Sequence, residues 1–284
     1  MFMHPEPQMY RARRVKRLVR AIPATAGVGV TIFRTIGTEA LDHLDPFLGF
    51  DELLADSTAA IAGGFPEQAH RGFETITYML EGRLNYHDNK GHSGVIGAGD
   101  VQWLTSGSGI VHSEMPEVVD GAVHGFQLWL NLPAAEKSQP AAYRDIQAVD
   151  VPAVIFSKAE VRVLAGKYHG LMGPLTPPTT QPFIVDVSLK AEGELTLPIL
   201  EDHEGFIYVF DGGVAVEQSL INAGQAGILE HGNLLNLAAG QTGARLLIVT
   251  ARPLNEPIVR HGPFVMNTQL EIKQAFTDYQ NGLF

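Results

Sequence analysis

Short apolar runs, rich in β-branched and aromatic residues, recur along this chain between Gly, Pro, Asn and Asp. In the first half they cover Gly29 to Ile36, Phe73 to Leu80, Val101 to Thr105 and Ala122 to Leu132. In the second half they cover Phe183 to Leu189, Gly205 to Phe210, Leu234 to Leu237 and Ala244 to Val249. Short runs at regular spacing, bounded by turn formers, predict an antiparallel sandwich or barrel. Helical periodicity is scarce and is clearest over Gln269 to Tyr279.

The two halves resemble each other. Phe73 to Leu80 ends in Glu81-Gly82, and the strand-like Gly205 to Phe210 ends in Asp211-Gly212. In each half a second Gly-rich turn follows, Gly97-Ala98-Gly99-Asp100 and Ala223-Gly224-Gln225-Ala226-Gly227, before another strand. Internal duplication is the economical explanation. The expected fold is therefore all-β, two tandem barrels with a short C-terminal helix. The boundary is placed in the linker-like segment Pro133 to Pro152, giving residues 1–140 and 141–284.

Composition agrees with this picture. A chain of 284 residues suits two domains, and 45% hydrophobic residues supply a sizeable core. The 30 Gly and 17 Pro serve the many turns such strands need. A formal net charge of −11 argues against generic nucleic-acid or membrane binding. One basic run stands apart: Arg11, Arg13, Arg14, Lys16, Arg17 and Arg20. Its plain reading is a solvated first strand or arm; its sharper reading is a docking patch for an acidic partner. The absence of cysteine excludes disulfides, thiolate metal sites and cysteine nucleophiles. Met1 to Arg20 holds no apolar stretch of signal-peptide length, and the expected location is cytoplasmic.

The candidate chemistry lies between Gly63 and Pro116. Side chains two or four apart in a strand share a face. Gln68, His70 and Glu74 therefore point one way if that stretch is extended, and His112 and Glu114 share a face on another strand. Two imidazoles and a carboxylate meeting inside a barrel suit Fe(II), Mn, Ni, Cu or Zn. A lone inward His is more often a hydrogen-bonded core residue. The His112-Ser113-Glu114 pair is harder to dismiss, because an inward carboxylate is costly without a compensating cation. His87 and His92 flank Asp88-Asn89-Lys90-Gly91, a hairpin turn, and are expected at the surface; His203 receives no role. The chain has no phosphate-binding Gly loop, dinucleotide fingerprint or nucleophile elbow.

Several motifs together resemble the pirin family of the cupin superfamily. They are Gly63-Gly64-Phe65-Pro66, His70-Arg71-Gly72-Phe73-Glu74-Thr75, Gly99-Asp100-Val101-Gln102-Trp103 and Gly109-Ile110-Val111-His112-Ser113-Glu114-Met115-Pro116. Asp45-Pro46-Phe47-Leu48, Gln127-Leu128-Trp129, Asn255-Glu256-Pro257 and Gly262-Pro263-Phe264-Val265-Met266-Asn267-Thr268 fit as well. The resemblance runs from about Gly27 to the end. It implies two cupin (double-stranded β-helix) barrels, with one divalent metal in the N-terminal barrel and none in the C-terminal one. Pirins hold iron or a similar metal through three histidines and one glutamate. By position, His70, His112 and Glu114 match three of these, and the metal implied is Fe(II), with Mn, Ni, Cu or Zn as alternatives.

The first family histidine is replaced here by Gln68, in Gln68-Ala69-His70-Arg71-Gly72. An amide oxygen is a weaker donor than imidazole for late first-row metals. The site then has Gln68 as a weak fourth ligand, has waters in its place, uses Glu74 instead, or is vestigial. Two functions follow from the resemblance. One is a metal-dependent dioxygenase of quercetin 2,3-dioxygenase type, acting on a small flavonol-like aromatic, with Glu114 as ligand and proton acceptor. The other is a non-catalytic metal-binding regulator that works through a protein partner, which the Gln68 replacement favours somewhat.

Overall fold

The computed structural model describes residues 10–28, 30–56, 63–177 and 179–284. Gly29, at the head of one expected strand, lies outside them. Among the described residues twelve strands precede Ala153: β1 (Val15–Arg20), β2 (Ile22–Ala26), β3 (Val30–Ile36), β4 (Phe47–Ala55), β5 (Phe65–His70), β6 (Phe73–Glu81), β7 (Arg83–Asp88), β8 (Ser93–Ile96), β9 (Val101–Thr105), β10 (Ile110–Glu117), β11 (Val123–Asn131) and β12 (Ala142–Ile146). The one α-helix among the described residues, α1, spans Gln269–Gln280. Its N-cap Thr268 accepts from the Glu271 amide while the Glu271 carboxylate accepts from the Asn267 amide and the Thr268 hydroxyl, close to the reciprocal pattern of a capping box.

The chain divides into two compact units, each built on antiparallel sheets. One comprises Ala21–Pro152, Gly173–Thr180 and Pro253–Phe284. Its seven-stranded sheet runs β12-β9-β6-β11-β4-β3-β2, and its four-stranded sheet runs β5-β10-β7-β8. Both sheets feed one core: Ile32, Leu53, Met79 and Val123 come from the larger sheet, Leu84, Tyr86 and Ile96 from the smaller. Fully burying an aliphatic or aromatic side chain contributes about 1.5–3 kcal/mol, so this shared core is what holds the sheets in register.

The other unit comprises Met1–Arg20, Ala153–Met172 and Gln181–Arg252. Its nine-stranded sheet takes β1 as an edge, paired antiparallel with Gln225–Leu229. Its core is larger and almost wholly aliphatic, with Val161, Val185, Leu235 and Ile248 at 0% exposure.

The units do not follow the expected division at 140/141. Backbone pairing overrides sequence proximity: β1 completes a sheet built from the second half, and the C-terminal segment belongs with the first. Nor is Pro133 to Pro152 simply a linker. It contributes β12 to the seven-stranded sheet and carries Lys137, which is 1% exposed. The expected strands at Leu234–Leu237 and Ala244–Val249 form one 18-residue strand, Leu234–Ala251. The basic run is solvated except at Arg13, which is 0% exposed and donates to the carbonyls of Leu200, His203 and Gly232.

Candidate metal centre

Strands β5 and β10 pair antiparallel, with His70 opposite Ile110 and His112 opposite Gln68. Directly opposed residues share a face, so Gln68, His70 and His112 project together. A register shift between His112 and Glu114 then sets Glu114 opposite Phe65. The turn leaving β5 needs glycine. Gly72 has φ +86°, and a Cβ there would lie 2.0 Å from the Val265 carbonyl oxygen. At the head of β10, Gly109 has φ +135°, and its Cβ would meet the Phe284 ring at 2.6 Å. No L side chain fits either place.

His70 and His112 are 3% and 1% exposed, with ring centroids 4.9 Å apart in an edge-on arrangement. Nδ1 of His70 and both ring nitrogens of His112 are buried without a hydrogen-bond partner. Burial holds both imidazoles below their ordinary pKa; His112 adds to this at His70, whereas Glu114 opposes it at His112. The rings are therefore neutral at pH 7, the form that donates to a metal. A ring hydrogen bond to the Pro263 backbone steadies His70.

A cavity of about 620 Å³, counted to its open mouth, adjoins this pair. Gln68, Glu114, Gln127 and Trp129 line it, with Arg34 and Asp51. The Gln127 amide donates to both oxygens of Glu114, at 3.2 and 2.9 Å, and its carbonyl oxygen accepts from the Trp129 indole at 3.1 Å. Gln127 entered the sequence reading only as part of a motif. A polar residue alternating with Gly125 and Trp129 in a strand was the available signal of an inward-facing site residue.

Glu74 does not join the group. It stands opposite Thr105, accepts from that hydroxyl at 2.7 Å, and lines a separate groove with Trp103 and Arg144. The residues that β6 sends to the cavity, Thr77 and Met79, have the other parity. Turning the chain through Arg71 and Gly72 broke the extended register on which the shared face of Gln68 and Glu74 depended. Burial raises the Glu74 pKa to about 7, against the pull of Thr105 and Trp103. His87 and His92 are exposed, as expected from the turn between them. His203 is buried, its Nδ1 3.0 Å from the Thr250 hydroxyl.

Among the described residues, no three His, Asp or Glu side chains are gathered as a group able to hold a metal ion. The donor chemistry nevertheless fits one. An unsatisfied buried polar atom costs ~1–3 kcal/mol, and three such nitrogens lie on two neighbouring neutral imidazoles. A divalent ion accepts from imidazole nitrogen, carboxylate and amide oxygen.

Two barrels of this topology, with buried histidines on β5 and β10 of one of them, define a bicupin. The chain belongs to the pirin family: the Pirin model matches residues 29–130, and the Pirin C-terminal cupin domain model matches 184–284. A Pseudomonas aeruginosa protein provisionally named quercetin 2,3-dioxygenase is 41% identical, covering 97% of this chain and 99% of its own. A pirin-like protein of Caulobacter vibrioides is 39% identical, covering 96% and 99%. The crystal structure of quercetin 2,3-dioxygenase from Acinetobacter baumannii superposes with TM-score 0.87 at 30% identity, covering 96% of this chain and 99% of that one. No helix among the described residues is long and apolar enough to cross a membrane.

Proposed function

We propose that this chain is a metal-dependent dioxygenase of quercetin 2,3-dioxygenase type, acting on a flavonol-like aromatic, with one Fe(II) ion held by His70, His112 and Glu114 and Gln68 as a weak fourth donor. The observation that carries the reading is the pair of buried, neutral imidazoles with three unpartnered nitrogens beside an aromatic-walled cavity. The names of the relatives support the same chemistry. When bound, the metal would supply Lewis acidity and a redox centre at which dioxygen and an ionised substrate hydroxyl meet.

The protein's own residues do the rest. Leu53, Phe65 and Met79 give the cavity an apolar wall against which a fused ring can lie. Glu114 accepts the proton of a substrate hydroxyl, and Gln127, donating to both carboxylate oxygens, aims it. Burial of the two histidines keeps water from their nitrogens and holds them neutral. Oxygen uptake by the anaerobically Fe-loaded protein, with and without quercetin, tests the reading. Quercetin-dependent uptake that disappears in His70→Ala supports it. No uptake, with the metal demonstrably bound, leaves the metal-binding regulatory protein as the function.

A further inference from the structure

The face of the seven-stranded sheet that lines the cavity is sorted into rows. Arg34 on β3, Asp51 on β4, Gln127 on β11 and Thr77 on β6 stand opposite one another on four successive strands. Directly opposed residues share a face. One pleat further along, the same strands present Ile32, Leu53, Gly125 and Met79 in register. All eight line the cavity. The Met79 sulfur leans over Gly125, where a Cβ would lie only 2.7 Å from it, so the second row is apolar from end to end. Trp129 lends no face to a ligand: one is taken by the stacked Phe73 ring, the other by the Arg260 guanidinium 4.9 Å from its centroid.

Within the polar row, Gln127 belongs to the candidate centre, because it donates to both oxygens of Glu114. Arg34 and Asp51 lie beyond it. Nε and Nη2 of Arg34 each donate to one Asp51 oxygen at 2.7 Å. Burial pushes the Asp51 carboxyl up, and the bonds from Arg34 pull it back. The pair keeps capacity for a ligand. A carboxylate has about four lone-pair positions, and Arg34 takes two of them. Nη1 of Arg34 makes no hydrogen bond among the described residues. The two side chains are 31% and 14% exposed, so the cavity reaches them. Neighbouring strands lie about 4.8 Å apart, which sets Arg34 about 10 Å from Gln127 at the backbone. A fused bicyclic ring with a polar group at each end spans such a row.

We infer that the Arg34–Asp51 pair is a second polar anchor of this cavity, and that its ligand is a fused-ring phenol hydroxylated at both ends. One hydroxyl meets Glu114, the other meets Asp51 and Arg34, and the ring lies along Ile32, Leu53 and Met79. This rests on the proposed site and narrows its substrate class, from flavonol-like aromatics in general to those with a hydroxyl at the end away from the ion. A hydrogen bond to an ionised partner is roughly twice as strong as one between neutral groups, so the far hydroxyl is read with discrimination. Arg34 and Asp51 then set specificity; the chemistry stays with Glu114 and the histidines.

The test is binding, read without turnover. Calorimetry on the Fe-loaded protein under nitrogen gives the affinity of 2,6-dihydroxynaphthalene and of 2-naphthol, which lacks the second hydroxyl. The expected result is at least tenfold tighter binding of the diol, with the preference lost in the double variant Arg34→Met, Asp51→Leu. Removing both partners together leaves neither charge buried alone, and binding of 2-naphthol by this variant shows that its cavity is intact. Asp51→Asn, which keeps the size of the side chain, should lower the preference as well, and it decides the matter if the double variant binds neither probe. Equal affinity of the wild type for the two probes, no binding of either, or a preference that either variant leaves in place overturns the inference. The outcome is separable from that of the oxygenase reading. Quercetin-dependent oxygen uptake with no diol preference sinks the anchor alone, and a preference that depends on Arg34 and Asp51 without uptake sinks the oxygenase alone.

Discussion

Gln68 and His112 face each other directly across the β5–β10 pair. Opposed Cβ atoms in such a pair stand about 4.5–5.5 Å apart, within reach of one shared ion. The relationship gives the departure from the family pattern a defined consequence. In Gln68→His a third imidazole would project beside His70 and His112, replacing an amide oxygen or water with a better donor for late first-row metals. Metal affinity should tighten by tenfold or more, equivalent to ~1.4 kcal/mol. Competition against a chelator, on wild type and variant, measures it. Unchanged or weaker affinity would show that residue 68 does not serve the ion.

Glu114→Gln should weaken metal binding by at least tenfold and leave the fold intact. The substitution removes the only negative charge assigned to the ligand set. Its new carbonyl oxygen can still accept from Gln127, so that amide keeps a partner. The dissociation constant and the urea midpoint of the metal-free protein should therefore separate, the first moving and the second holding. If the dissociation constant holds too, Glu114 is not a ligand.

Metal content should be one ion per chain. Elemental analysis after anaerobic loading with Fe(II) is expected near one, falling to near zero in the double variant His70→Ala, His112→Ala. A ratio near two that survives both substitutions would place a second ion elsewhere.

Lys137 makes stability depend on alkaline pH. Its ammonium is buried and donates to the carbonyls of Gly72 and Val265 and to the Asn131 side chain, at 2.6, 3.1 and 2.7 Å. Burial lowers its pKa from 10.5 to about 8, against the opposing pull of Glu256 and Glu271. Between about pH 8 and 10.5 the unfolded chain binds more protons at this residue than the folded one, so its contribution to stability rises with pH across that window. Below pH 8 the lysine is charged in both states and its contribution is flat. Wild-type stability relative to Lys137→Met should therefore climb by roughly 2 kcal/mol from pH 8 to pH 10. Urea unfolding at both pH values reads the difference, and a constant gap would place the Lys137 pKa near its ordinary value.

What the sequence made legible followed from local physics. Val101–Thr105 and Phe183–Leu189 are strands over the expected residues, because a short β-branched or aromatic run between turn formers has few other ways to bury itself. The helix near the end was readable for the same reason, its capping residues Thr268 and Glu271 lying next to an apolar period. Strand parity likewise placed Gln68 with His70. It misplaced Glu74, because parity holds only while a strand continues and the chain turns at Gly72. Partnerships formed across many residues left no local trace. Arg13 meets carbonyls 187 to 219 positions away, Lys137 reaches Val265 across 128, and nothing near Arg260 in sequence points to Trp129.

The interleaving of the two units sets an order of assembly. A chain emerging from the ribosome normally folds its first domain first. Here the strands that carry Gln68, His70, His112 and Glu114 are made well before the segment that clasps them, Pro253–Phe284. Arg71 pairs with Asp278 at 2.6 Å, Gly109 packs on Phe284, and Lys137 binds the Val265 carbonyl. Meanwhile β1 must wait for Gln225–Leu229, made far later. Each unit waits on residues made much later than its first strands, so the nascent chain holds unpaired strand edges until those residues arrive.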